Sequence, residues 1–155
     1  MIALLLAAAT ALPMAHLKVT QRWHSAKGRP SSADAEVWMS DRRWHVRDAS
    51  GDRFGDDGTR SRPTVLDALL GGTPAHAQRG ATTTVAGAEC ATYSWAKHVM
   101  HTSIFGSRCI HGRLALRGAE WSKDRGHPAN ERGSSFEVTF LEEGPVDPKL
   151  LEPPR

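Results

Sequence analysis

The sequence predicts a mainly β (α+β) protein, an antiparallel sheet of about seven or eight strands with one short helix. Several segments alternate apolar and polar residues with a period of two, which is typical of half-buried strands. Only one internal stretch has helical spacing. Two cysteines, Cys90 and Cys109, follow in a chain that opens with an apolar segment. Together these features favour a small exported β domain with one cross-link.

The composition limits the classes of function. The chain has 155 residues, of which 39% are hydrophobic and 24% charged, and this suits one soluble domain. The net charge is only +3, and the basic residues form no continuous stripe. A nucleic-acid partner is therefore not expected. Membrane association is expected to be peripheral at most.

Residues 1–15 are predicted to be an export signal, and residues 16–155 a single β domain. The segment from Met1 to Ala11 is apolar and alanine-rich, and small residues suit cleavage near Ala11 or after Ala15. No lysine or arginine precedes the apolar run. This leaves two alternatives, a start that has lost a basic leader and a buried N-terminal helix. The predicted location is periplasmic or secreted.

The elements follow from these patterns in order. A strand is predicted over 17–23, a hairpin over 36–47 and a helix over 64–70. Pro63 suits the first turn of that helix, and the glycines at 71–72 suit its end. Further strands are predicted over 81–85, 89–96, 108–116 and 135–140, with an ambiguous segment at 99–105.

The last predicted strand has the cleanest alternation. Phe136, Val138 and Phe140 are separated by Glu137 and Thr139. We therefore predict that the three apolar side chains point inward and the two polar ones outward.

Cys90 and Cys109 are predicted to form a disulfide, because an exported chain with two cysteines normally pairs them. The bond would close a loop of about 20 residues, worth about 3 kcal/mol in the chain-entropy model. The alternative is a periplasmic metal-binding protein that uses His98, His101 and His111. No second cysteine stands at a zinc-finger spacing, so the primary prediction includes no metal.

Catalytic signals are few. The sequence has no Gly-x-Ser-x-Gly elbow. A cysteine nucleophile would have to stay reduced in an oxidising compartment, which is unfavourable. We therefore predict no catalytic residue, no cofactor and no enzymatic activity.

Three stretches carry a resemblance to a known family. Residues 35–51 are similar to a strand pair whose second arm ends in Arg-x-(Asp/Glu)-x-x-Gly. Residues 85–93 are similar to Val-x-Gly-x-x-Cys-x-x-Tyr, with a second cysteine at Cys109. Residues 142–154 are similar to a closing Val-Asp-Pro-x-Leu-Phe-x-x-Pro. The pattern resembles the LolA/LolB-like lipoprotein-carrier superfamily and its small periplasmic relatives.

This resemblance implies a strongly curved antiparallel sheet, or half-barrel, with an apolar concave face closed by helical segments. In the carriers that face holds acyl chains and serves the sorting of outer-membrane lipoproteins. For this chain it implies a non-enzymatic envelope protein that binds a lipid, a lipoprotein acyl chain or another hydrophobic molecule. An interaction module that contacts another envelope protein is the remaining alternative. The candidate ligand contacts are Trp23, Trp38, Trp44, Val46 and Phe136.

Overall fold

A computed structural model describes residues 11–155, in which nine strands form one antiparallel sheet and one α-helix packs on it. The order of the strands across the sheet is β4-β3-β2-β1-β9-β8-β7-β6-β5, and the sheet is not closed. The helix is α1 (Thr64–Leu70), and two short 3-10 helices are η1 (Pro128–Asn130) and η2 (Pro148–Leu151). The strands are β1 (Leu12–Ser25), β2 (Ser31–Asp41), β3 (Arg43–Asp48), β4 (Gly51–Asp56), β5 (Gln78–Val85), β6 (Ala88–Val99), β7 (Thr102–His111), β8 (Leu114–Asp124) and β9 (Arg132–Glu143).

The sheet is strongly curved. Strand β5 contacts β9, although three strands lie between them in the sheet. In a flat sheet with strands about 4.8 Å apart, β5 and β9 would be about 19 Å from each other. The contact therefore requires the β5–β8 half of the sheet to bend back toward β9.

The strand count corrects the prediction of seven or eight. Strand β4 was missed, because the segment Gly51–Asp56 is rich in glycine and aspartate and lacks an apolar alternation. The predicted strand 108–116 is two strands, because Gly112 has a φ of 56° and stands in the turn between β7 and β8. The left-handed backbone at Gly112 makes a hairpin turn and ends the first of the two strands.

The predicted helix and first hairpin are confirmed. Helix α1 spans Thr64–Leu70, directly after Pro63, and ends at Gly71. Strands β2 and β3 pair with Ser40 opposite Arg43.

The core lies on one face of the sheet, which we call the concave face because α1 packs there. Along β1 the buried residues are Ala15, Leu17 and Val19, and their partners on β2 are equally buried. Helix α1 contributes its apolar side to the same cluster through Val65, Leu66 and Leu69. These side chains fill the space between α1 and one end of the concave face.

The prediction that Phe140 points inward is wrong. Phe136 and Val138 are buried, whereas Phe140 is 38% exposed. The register between β1 and β9 shifts after Val138, so that Lys18 lies opposite Phe140. This β-bulge inserts one residue and turns Phe140 to the other side of the sheet, the outer face.

Aromatic rings cross the outer face from β1 to β4. The ring of Trp38 stacks on His16 at 5.1 Å and on His45 at 4.6 Å between centroids, and His45 stacks on Phe54 at 4.2 Å. These residues lie directly opposite one another on neighbouring strands. The C-terminal segment covers part of this row, since Val146 and Leu151 pack on Trp38.

The predicted export signal overlaps the start of the described chain. Residues 1–10 lie outside the described residues. Leu12 opens β1, and Ala15 is fully buried opposite Met39 of β2. In the described part of the chain, no helix has the length and apolarity needed to cross a bilayer.

Candidate functional site

Two rows of side chains cross the concave face beyond the packed core. In what we call the rim row, five residues lie opposite one another across β6, β7, β8, β9 and β1: Trp95, Gly106, Glu120, Ser134 and Trp23. The inner row lies two residues closer to the core on each strand: Tyr93, Arg108, Gly118, Phe136 and Gln21. The rim row thus has a tryptophan at each end.

Glycines let aromatic rings lie close to the sheet in both rows. A Cβ atom at Gly106 would overlap the indole ring of Trp95, which lies opposite it. A Cβ atom at Gly118 would overlap the ring of Phe136 in the same way. Each ring therefore rests over a glycine of the next strand and presents apolar surface to the concave side.

A cavity of about 310 Å³ lies over these two rows. Thr64, Asp67 and Ala68 form the wall on the side of α1, and Phe136 and Trp23 line the wall on the side of the sheet. Helix α1 has seven residues and covers only part of the concave face. The remaining part is an open cavity of mixed apolar and polar lining.

Three charged side chains line the cavity at different depths. Arg108, in the inner row, is half-buried, and burial lowers the pKa of its guanidinium. Glu120, in the rim row, and Asp67, on α1, are exposed, and Asp67 pairs with Arg62 at 3.2 Å. The only charge in the inner row is therefore a cation.

The structure separates the predicted ligand contacts. Trp23 and Phe136 both line the cavity. Trp44 and Val46 share the concave face but lie in the closed core, with exposures of 2% and 0%. Trp38 lies on the outer face under the C-terminal segment. Two of the five candidates are thus brought together at one open site.

The predicted disulfide is confirmed. Cys90 and Cys109 are bonded, with a Cα–Cα distance of 5.2 Å. Both cysteines are buried in the main core cluster, which also includes Val85 and Leu114. The bond joins β6 to β7, five residues from Trp95 along β6 and three residues from Gly106 along β7.

The three histidines of the metal alternative do not meet. His98 pairs with Ser103 near the β6–β7 turn, and His101 stands in that turn. His111 lies at the other end of β7, about 26 Å along the strand from Ser103. Within residues 11–155 no group of three or more His, Cys, Asp or Glu side chains is placed to hold a metal ion.

His111 instead joins two distant parts of the sheet. Its Nδ1 lies 2.8 Å from the carbonyl oxygen of Glu89, and its Nε2 lies 3.0 Å from Oε1 of Glu143. Only the imidazolium donates both hydrogen bonds. The bond to the Glu89 carbonyl, followed by the interaction with Glu143, raises the pKa of His111 above 6.5.

We expect the contribution of His111 to stability to depend on pH. A raised pKa in the folded state stabilises the protein fully below the ordinary pKa of 6.5, and this stabilisation is lost as the pH rises through the folded-state pKa. His111→Asn should therefore lower the free energy of unfolding more at about pH 5.5 than at about pH 9. Urea unfolding at the two pH values measures the difference.

His101→Asn is the matched control, because it removes a histidine from an exposed turn. The change in unfolding free energy for His101→Asn is subtracted from that for His111→Asn. The remainder measures the contacts of His111 and not the general loss of an imidazole. An unfolding free-energy difference for His111→Asn that grows with pH would contradict the assignment.

Trp95, Arg108 and Glu120 are among the cavity residues that the sequence did not predict. Trp95 is one of five tryptophans in the chain, and its strand pattern does not distinguish it from the others. Nothing in the local pattern marked Arg108 or Glu120, because charged residues on strands are normally solvated. Arg108 and Glu120 are diagonal neighbours on β7 and β8. Knowledge of the pairing register of these two strands would therefore have placed both side chains at one site.

The chain is similar to the crystal structure of a LolA superfamily protein from Nitrosomonas europaea, with 7% identity, a TM-score of 0.40 and 91% of each chain covered. No protein-family model and no curated protein matches the chain.

Proposed function

We propose that this protein binds a lipid acyl chain or another hydrophobic small molecule in the cavity over the rim and inner rows. The observation that carries the proposal is the open cavity of about 310 Å³ on a face that is otherwise packed by α1. The rings of Trp95 and Phe136 lie over glycines there and offer apolar surface to a ligand. Burial of each methylene group contributes about 0.8 kcal/mol to such binding.

We further propose that the protein works outside the cytoplasm, as a binding protein of the cell envelope. The buried disulfide between Cys90 and Cys109 supports this location, because such bonds form and persist in oxidising compartments. The role that we propose is binding and not catalysis. Binding requires only that apolar surface of the ligand is buried in the cavity. The apolar occupant could be free or attached to a lipoprotein.

Displacement of a hydrophobic fluorescent dye by dodecanoate and by 1-dodecanol tests the proposal. We expect at least one of the two to displace the dye at micromolar concentration. Trp23→Ala should weaken the binding about tenfold, because it removes a large apolar contact from the rim row. Trp23 is 37% exposed, so its loss should leave the fold intact.

Trp121→Ala is the matched control. Trp121 lies opposite Gly133, on the outer face, where it stacks on His24 at 5.5 Å between centroids. It does not line the cavity. Absence of displacement by either molecule, or equal weakening by the two tryptophan substitutions, would contradict the proposed site.

A further inference from the structure

Arg108 is the one charged side chain of the inner row, and its hydrogen bonds are incomplete. A guanidinium has five N–H donors. The structure gives Arg108 one acceptor, the carbonyl oxygen of Gly72, at 3.3 Å from Nη1. Among the ion pairs formed within residues 11–155, Arg62 pairs with Asp67 and Arg117 with Glu137, but none includes Arg108. Most of its donors therefore have no acceptor within residues 11–155.

Arg108 lies where its unpaired N–H donors can reach a ligand in the cavity. The side chain is half-buried between the open rim and the closed core. A Cβ atom at Gly71 would overlap its guanidinium, so the group packs directly against the end of α1. Glu120 lies diagonally across from Arg108 on β8, yet that side chain is exposed at the rim. A ligand that passes the rim row meets a partly desolvated cation in the cavity that Phe136 also lines.

We propose that Arg108 binds the anionic head group, a carboxylate or a phosphate, of an amphiphile whose apolar part lies against Phe136 and Trp23. This inference rests on the proposed function and names the chemical class of its ligand. A carboxylate or a phosphate can accept two parallel hydrogen bonds from a guanidinium, which gives strong and directional binding. The neutral alcohol of the same chain length can accept only weaker bonds.

Arg108 has a second possible role that the test must separate. Its hydrogen bond to Gly72 also supports the C-terminal end of α1, where a cation interacts favourably with the helix dipole. Loss of that support would change the shape of the cavity and weaken every ligand alike. Loss of a head-group contact would weaken only the anionic ligands.

The experiment compares three ligands of equal chain length: dodecanoate, dodecyl phosphate and 1-dodecanol. Their affinities are measured by dye displacement at about pH 8, where both anions are ionised. We expect the native protein to bind the anions about tenfold or more tightly than the alcohol. Arg108→Gln should abolish this preference while changing the affinity for the alcohol less than about twofold.

Two further variants keep the result interpretable. Arg108→Lys retains the charge without the planar fork and should keep part of the preference. Arg117→Gln removes an arginine from the neighbouring strand, where it pairs with Glu137 at 2.8 Å, and should keep all of it. The ratio in the native protein can be measured even where a substitution prevents folding.

The failures are distinguishable. Equal affinity of the native protein for the alcohol and the anions would overturn the head-group assignment and leave the proposed function standing. Equal weakening of all three ligands by Arg108→Gln would likewise overturn it and assign Arg108 to the support of α1. Displacement by none of the three ligands would overturn the proposed function and this inference together.

Discussion

Replacing Leu69 with alanine is expected to lower the free energy of unfolding by about 3 kcal/mol. Leu69 is fully buried between α1 and the sheet. Helix α1 has seven residues and no side-chain hydrogen bond at its N-cap, so it cannot form by itself. Its stability comes from the apolar side that packs on the concave face. Urea unfolding followed by tryptophan fluorescence measures the change.

Leu150→Ala is the matched control, because Leu150 is 42% exposed in η2. Its effect should stay within about 0.5 kcal/mol. If the two leucines proved equivalent, the packing of α1 on the sheet would be incorrect. A selective loss of dye binding in a folded Leu69→Ala variant would also show that α1 shapes the cavity.

Removing the disulfide is expected to have an effect of similar size. The double substitution Cys90→Ala and Cys109→Ala should lower the free energy of unfolding by about 3 kcal/mol, because the two residues are 19 apart and the bond restricts the unfolded chain. Both side chains are also buried, so their loss removes core packing as well. For a domain of this size the melting temperature should fall by about 10 °C.

Reduction of the native protein separates the two contributions, since it breaks the bond and keeps both sulfur atoms. Mass measurement after alkylation, with and without reductant, establishes whether the thiols were free. Alkylation of both cysteines in the unreduced, denatured protein would contradict the bond. Equal stability of the oxidised and reduced forms would contradict its role in folding.

Trp23, Trp44 and Phe136 show how far a strand pattern can predict a site. Alternation correctly indicates that all three side chains share the core-facing side of their strands. It carries no information about which part of that side α1 covers. Trp44 lies in the closed core, whereas Trp23 and Phe136 line the open cavity. The difference depends on the length and placement of α1, and those are long-range properties.

Phe140 and Gly112 show where local patterns fail. An uninterrupted alternation predicts the wrong face for Phe140, because a bulge near Val138 changes the register with β1. At Gly112 a positive φ ends one strand and begins the hairpin return to the next. Both effects depend on pairing with another strand, and a single strand's sequence does not reveal its partner.

By itself the sequence determined the class of the fold, the span of α1 between Pro63 and Gly71, and the β2–β3 hairpin. These features depend on interactions between residues close in the chain. Only the tertiary structure decided the curvature of the sheet and the position of Arg108 in the same cavity as Phe136. Those two residues share one row because β7, β8 and β9 pair in a particular register, and that register is set by bulges, turns and core packing across the whole sheet.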